Sequence, residues 1–149
     1  LMGNMLTRAP ELFGAIVCQV PLLDMQRYPQ LLAGASWMAE FGDPDSSDWD
    51  DLLHLYSPYH NLEGTRRYPP LLVTTSTWDD RVHPGHARKL VARMKAHCKG
   101  AEQVLYYENG ERGHGGAADN KQRAFMTTLA YEFLWASLAA AAAASRAKL

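Results

Sequence analysis

Two residues of this sequence are placed for acid–base chemistry, an aspartate at 79 and a histidine at 114. Asp79 lies in Ser76-Thr77-Trp78-Asp79-Asp80-Arg81-Val82-His83-Pro84, directly after the apolar run 71–76. His114 lies in Glu108-Asn109-Gly110-Glu111-Arg112-Gly113-His114-Gly115-Gly116, after the run 104–107. An imidazole accepts a hydroxyl proton only as the right neutral tautomer. A carboxylate on its other nitrogen fixes that tautomer and stabilises the imidazolium that forms. Glycines on both sides of His114 let the ring approach closely. An acid followed by a histidine suits a triad read in the order serine, acid, histidine. The chemistry would be acyl transfer through a serine nucleophile. No Gly-x-Ser-x-Gly elbow occurs in the sequence.

The same residues have plainer readings. Asp79 and Asp80 can be turn residues capping the helix that starts near Pro84, and Asp80 is read that way. His83 and His86, with His97 and Cys98, suggest a zinc site, but no acidic partner completes a ligand set at standard spacing. No metal and no cofactor are expected. His54 and His60 read as structural or surface groups, and Trp49 and Trp135 as core.

The elements that must position these groups follow from the pattern. Residues 1–9 read as a helix ending at Pro10. Residues 13–20 and 71–76 are short, apolar and rich in β-branched residues, which predicts strands buried on both faces. Residues 21–67, interrupted by Pro21, Pro29, Pro44 and Pro58, read as loops with short helices over 29–40 and 48–55. A helix is expected from about Pro84 to His97, with Ala87, Leu90, Val91 and Met94 at helical spacing. A third strand covers 104–107. A last helix covers about 119–138, with Phe125, Leu129 and Phe133 inward. Alternating strands and helices predict an α/β fold, a parallel sheet with helices on both faces. Functional groups in such sheets gather past the C-terminal strand ends, where both candidate segments lie.

At 149 residues, with 47% hydrophobic and 21% charged side chains, the chain fits one ordinary domain. Its formal charge of −1 argues against nucleic acid or an anionic membrane surface as partner. The apolar run Leu138 to Ala144 is too short to span a bilayer. Cys18 and Cys98 read as reduced structural thiols. With no leader pattern, they point to a cytoplasmic protein, periplasmic or secreted locations remaining open. Because Leu1 opens in mid-pattern and three strands are few for such a sheet, the chain is expected to be a piece of something longer. Its domain is then 1–138, with an alanine-rich tail at 139–149.

The segments Trp78-Asp79-Asp80-Arg81-Val82-His83-Pro84 and Gly113-His114-Gly115 resemble the acid and histidine motifs of the prolyl oligopeptidase family. Asn4-Met5-Leu6-Thr7-Arg8-Ala9-Pro10-Glu11-Leu12-Phe13 resembles the stretch after that family's nucleophile. Asp24-Met25, Gly34-Ala35-Ser36-Trp37 and Tyr56-Ser57-Pro58-Tyr59-His60-Asn61 match as well, in order and in spacing. The resemblance covers 1–138 and implies the C-terminal part of an α/β-hydrolase catalytic domain. It implies Asp79 as triad acid and His114 as general base. Arg81 would hold a peptide carbonyl, and Trp37 would stack on proline in the primary pocket, with Leu22 and Phe41 lining it. The family usually has tyrosine where Phe41 stands, so that hydroxyl is missing here. The resemblance places the serine elbow, and a β-propeller that restricts access, upstream of Leu1.

The function implied is a serine peptidase cleaving peptides on the carboxyl side of proline, with a peptide substrate and the upstream part of the same protein as partners. An esterase or aminopeptidase of the same fold is the nearest alternative. A non-enzymatic alternative is an inactive fragment that self-associates through an exposed sheet edge.

Overall fold

The computed structural model describes residues 1–110, 113 and 120–146. His114 and the adjacent Gly115 and Gly116 lie outside the described residues.

Three parallel strands form one sheet in the order β1-β2-β3: β1 (Ile16–Gln19), β2 (Leu71–Ser76) and β3 (Val104–Asn109). The register pairs Ile16 with Leu71 and Leu71 with Val104, so the C-terminal ends of β2 and β3 meet at Ser76 and Asn109. All six residues of β2 are buried, as expected of a central strand in a parallel sheet. The expectation of two buried faces fails for β1, where Val17 is half-buried and Gln19 exposed. Among the described residues β1 pairs only with β2, so it is an edge.

Strand parity assigns the helices to faces. On one face Ile16, Cys18, Leu71, Val73 and Val104 pack with Leu6 of α1 (Met2–Arg8). Ala87, Leu90, Val91 and Met94 of α4 (Gly85–His97) join the same core. On the other face the ring of Tyr107 meets Phe125 of α5 (Asn120–Arg146) at 5.4 Å. Between β1 and β2 run 3-10 turns at Tyr28–Gln30, Leu32–Trp37 and Leu53–Tyr56, with the short helices α2 (Met38–Phe41) and α3 (Asp48–Asp51). They enclose a second small core around Met25, Tyr28 and Leu53.

α5 departs from its expected form in two ways. It continues through the alanine run to Arg146 instead of ending near 138, because alanine is the strongest helix former. Its Phe125 is half-exposed despite the Tyr107 contact, and Trp135, expected in the core, is 77% exposed. Taken whole, Asn120–Ala144 is long and apolar enough to cross a membrane by length and composition, although the run at 138–144 alone is not. In this fold one side of the helix packs against β1.

Candidate active site

Asp79 stands three residues beyond the end of β2, on a turn that its own side chain builds. Its Oδ1 accepts the N–H groups of Arg81 (2.9 Å) and Val82 (2.8 Å), and its own N–H donates to Ser76 O at 3.3 Å. With 4% of its surface exposed, the carboxylate is nearly removed from water. Oδ1 thus fixes the turn through two backbone N–H groups. Asp80 next to it is exposed, but the helix beginning at Gly85 has no side-chain cap, so the capping expected of Asp80 is not made.

The neighbouring loop is stitched to this one at several points. Thr77 N–H donates to Asn109 O at 2.9 Å, and Ser76 Oγ donates to the same carbonyl at 3.2 Å. Thr77 Oγ1 donates to Glu108 Oε1 at 2.6 Å, and Trp78 Nε1 donates to Gly110 O at 2.9 Å. Glu108 is itself anchored, accepting from Arg88 of α4 and from the Tyr106 hydroxyl. Arg88's hydrogen bonds, helped by those of Thr77 and Tyr106, hold the Glu108 carboxyl down at about 2 against the opposing effect of burial. The ends of β2 and β3 therefore form one cross-linked platform, and His114 follows it by five residues in sequence.

Arg81 is exposed, and its carbonyl oxygen accepts the N–H of Ala33 at 3.4 Å. That bond ties the acid turn to the 3-10 turn carrying Trp37. Trp37, Leu22 and Phe41 are all half-buried and pack against the Met25, Tyr28 and Leu53 core. Phe41 meets Tyr28 edge-on, with ring centroids 6.0 Å apart, and Phe41 O accepts from the Tyr56 hydroxyl at 2.9 Å. Leu22 and Phe41 line one cavity of about 330 Å³ with Val20, Met25 and Tyr56. A larger cavity, about 620 Å³, lies along α4 and is lined by none of the expected site residues.

Two backbone features hold this region in shape. Val20 (φ 46°) and Leu32 (φ 53°) occupy the left-handed region, unusual for a branched side chain. Val20 leads from β1 to Leu22 in the cavity wall, and Leu32 opens the turn that carries Trp37, which does not line that cavity, so strain sits at both turns. A Cβ on Gly34 would lie 1.7 Å from Tyr28 O, so only glycine permits the close approach that folds this turn back.

Two of the histidines weighed as zinc ligands, His83 and His86, hydrogen-bond to the backbone through Nδ1. His83 Nδ1 accepts Gly85 N–H at 2.9 Å, and His86 Nδ1 accepts Asp24 N–H at 3.2 Å. No group of three His, Cys, Asp or Glu side chains suited to a metal occurs among the described residues. Asp24 is instead the centre of a buried polar network. Its Oδ1 accepts Gln26 and Arg27 N–H, and its Oδ2 pairs with Lys89. His60 stands 3.9 Å away and is hydrogen-bonded to Ser57.

This network has a pH signature. Because Nδ1 of His86 accepts a hydrogen bond, its proton sits on Nε2. Burial, reinforced by His83 and Lys89 and opposed by Asp24, lowers the His86 pKa from 6.5 to about 4. The folded state thus binds this proton more weakly than the unfolded state. Its stability contribution is complete above pH 6.5 and is lost as pH falls toward 4, by at most about 3 kcal/mol. His60, also lowered chiefly by burial, adds to the same trend. Urea midpoints measured from pH 7 to 4.5 should fall. His86→Gln should remove about one proton from that slope, and an unchanged slope contradicts the assignment.

The profile of the prolyl oligopeptidase family matches residues 1–140 of this chain. An uncharacterized peptidase of Sinorhizobium fredii is 42% identical over 138 residues, covering 93% of this chain and 19% of the relative. The prolyl endopeptidase of Elizabethkingia miricola is 36% identical over 123 residues, covering 82% of this chain and 17% of the relative. Among solved structures, one from a study of two prolyl endopeptidases aligns with TM-score 0.86 at 40% identity, over 91% of this chain and 20% of its own. A post-proline cleaving enzyme from Rickettsia typhi aligns with TM-score 0.79 at 38% identity, over 91% and 19%. The chain spans about a fifth of the length of these relatives (19% and 17%).

Proposed function

Because this chain belongs to the prolyl oligopeptidase family, we propose that it supplies the acid, the base and the proline pocket of a serine peptidase that cleaves on the carboxyl side of proline. The serine comes from another part of the same polypeptide. The observation that carries this reading is the buried Asp79 carboxylate, one oxygen locked into its own turn on a platform shared with the loop that leads to His114.

In this mechanism the serine hydroxyl gives its proton to His114 as it attacks the peptide carbonyl. Asp79 orients the imidazole and stabilises its charged form. His114 then returns the proton to the leaving amine, and water repeats the cycle on the acyl-enzyme. Arg81, exposed on the same turn, holds a substrate carbonyl. The Trp37 indole faces the proline ring, with Leu22 and Phe41 as pocket walls. A proline side chain offers only apolar surface, and this half-buried aromatic and aliphatic set matches it. No other group is required to activate the nucleophile.

Selectivity tests the proposal against an esterase or aminopeptidase of the same fold. The full-length protein should hydrolyse an N-blocked Gly-Pro chromogenic peptide far better than its Gly-Ala counterpart. Trp37→Ala should raise KM for the prolyl substrate and lower kcat/KM by about 10- to 100-fold, the scale of losing one apolar pocket wall. Equal rates on the two peptides, or faster turnover of a free-amine or simple ester substrate, would replace this reading with one of the alternatives.

A further inference from the structure

Trp78 precedes the candidate acid and is 67% exposed, yet its indole is held: Nε1 donates to Gly110 O across 32 residues of sequence, at 2.9 Å. The same residue touches the neighbouring loop again through its backbone. A Cβ built on Gly113 would lie 3.0 Å from the Trp78 carbonyl oxygen, tighter than most side chains tolerate, so the two loops pass close together here. One residue of the acid turn thus meets its neighbour at 110 and at 113, one position short of His114.

We infer that Trp78 is a positioning residue for the triad, fixing the distance between the Asp79 turn and the strand-end segment that leads to His114. The inference rests on the triad reading above. The orientation of the Asp79 carboxylate is set locally, by the N–H groups of Arg81 and Val82. Its distance from the next loop is set by the inter-loop bonds instead. Those of Ser76 and Thr77 lie at the strand ends, on Glu108 and Asn109. Trp78 makes the outermost of these contacts, farthest along the β3 loop. An exposed hydrogen bond adds little to folding stability, so the consequence of this one is geometric. A displacement of about 1 Å between reacting groups costs about a hundredfold in rate.

The experiment uses the full-length protein, a chromogenic Gly-Pro peptide and three variants. Trp78→Phe keeps the ring and removes the donor. Gly113→Ala presses a methyl group against the Trp78 carbonyl and so strains the second contact. His114→Ala reports on the triad itself. Trp78→Phe and Gly113→Ala should each lower kcat by about tenfold with KM nearly unchanged, a partial version of that misplacement cost. Each should also move the acidic limb of the kcat/KM profile to lower pH, because an imidazolium held less well by its carboxylate loses its proton sooner. Thermal midpoints should barely change.

Wild-type kcat and an unmoved acidic limb in both variants would overturn the inference. So would losses that match the unfolded fraction alone. If those results come with an inactive His114→Ala, the triad reading stands and only the role of Trp78 falls. An active His114→Ala removes the triad reading itself.

Discussion

Replacing His114 with alanine in the full-length protein should lower kcat toward a prolyl peptide by about a millionfold, the scale on which serine triads elsewhere act as a unit. Without the imidazole the serine hydroxyl has no acceptor for its proton, and the leaving amine has no donor. Binding is a separate matter. The expected pocket is built from Leu22, Trp37 and Phe41, packed on a core that includes Tyr28 and Leu53. KM should therefore stay within a few-fold of wild type, and the residual rate should still favour proline. Steady-state kinetics on purified variant, free of wild-type contamination, checks both numbers. A large rise in KM with kcat preserved would make His114 a binding residue instead.

Asp79→Asn carries the second largest expected effect, about 10⁴-fold in kcat, with the fold intact. The structure shows why the fold should survive. An asparagine Oδ1 can still accept the Arg81 and Val82 N–H groups that shape the turn. The lost group is the second oxygen, replaced by an NH₂ that cannot accept a proton-bearing imidazole nitrogen. The amide instead favours the opposite tautomer, whose lone pair points away from the serine. Thermal melts should show the variant within a few degrees of wild type while activity collapses. Loss of the folded state alongside activity would assign Asp79 to the turn alone.

How far the sequence revealed this arrangement depended on whether the signal was local. β2 was legible because Leu71-Leu72-Val73-Thr74-Thr75-Ser76 is apolar and β-branched through most of its length, and all six residues are buried. β1 proved shorter than 13–20, since the chain leaves the strand at Val20 with a positive φ that no propensity anticipates. On α5, Phe125 meets Tyr107 as an inward residue but stays half-exposed, and Trp135, read as core, is 77% exposed. Aromatic residues suggest burial, but the sheet lies under only part of this helix.

Asp79 was picked out as a candidate acid by its place after a buried strand, and the structure finds it buried on the turn that follows β2. The bond from Trp78 to Gly110 could not, because it exists only once the register sets Ser76 beside Asn109. The Asp24, Lys89 and His86 network was hidden for the same reason. Its members come from segments more than 60 residues apart, and nothing local marks them as buried partners.

The central claim is that Asp79 acts only through His114. A double-mutant cycle in the full-length protein measures this directly, comparing kcat/KM on an N-blocked Gly-Pro peptide for wild type, Asp79→Asn, His114→Ala and the pair. If the two residues form one catalytic unit, Asp79→Asn should cost less than about threefold once His114 is already alanine, against about 10⁴-fold in the wild-type background. A full 10⁴-fold loss in both backgrounds would show that Asp79 acts independently of His114 and would contradict the account.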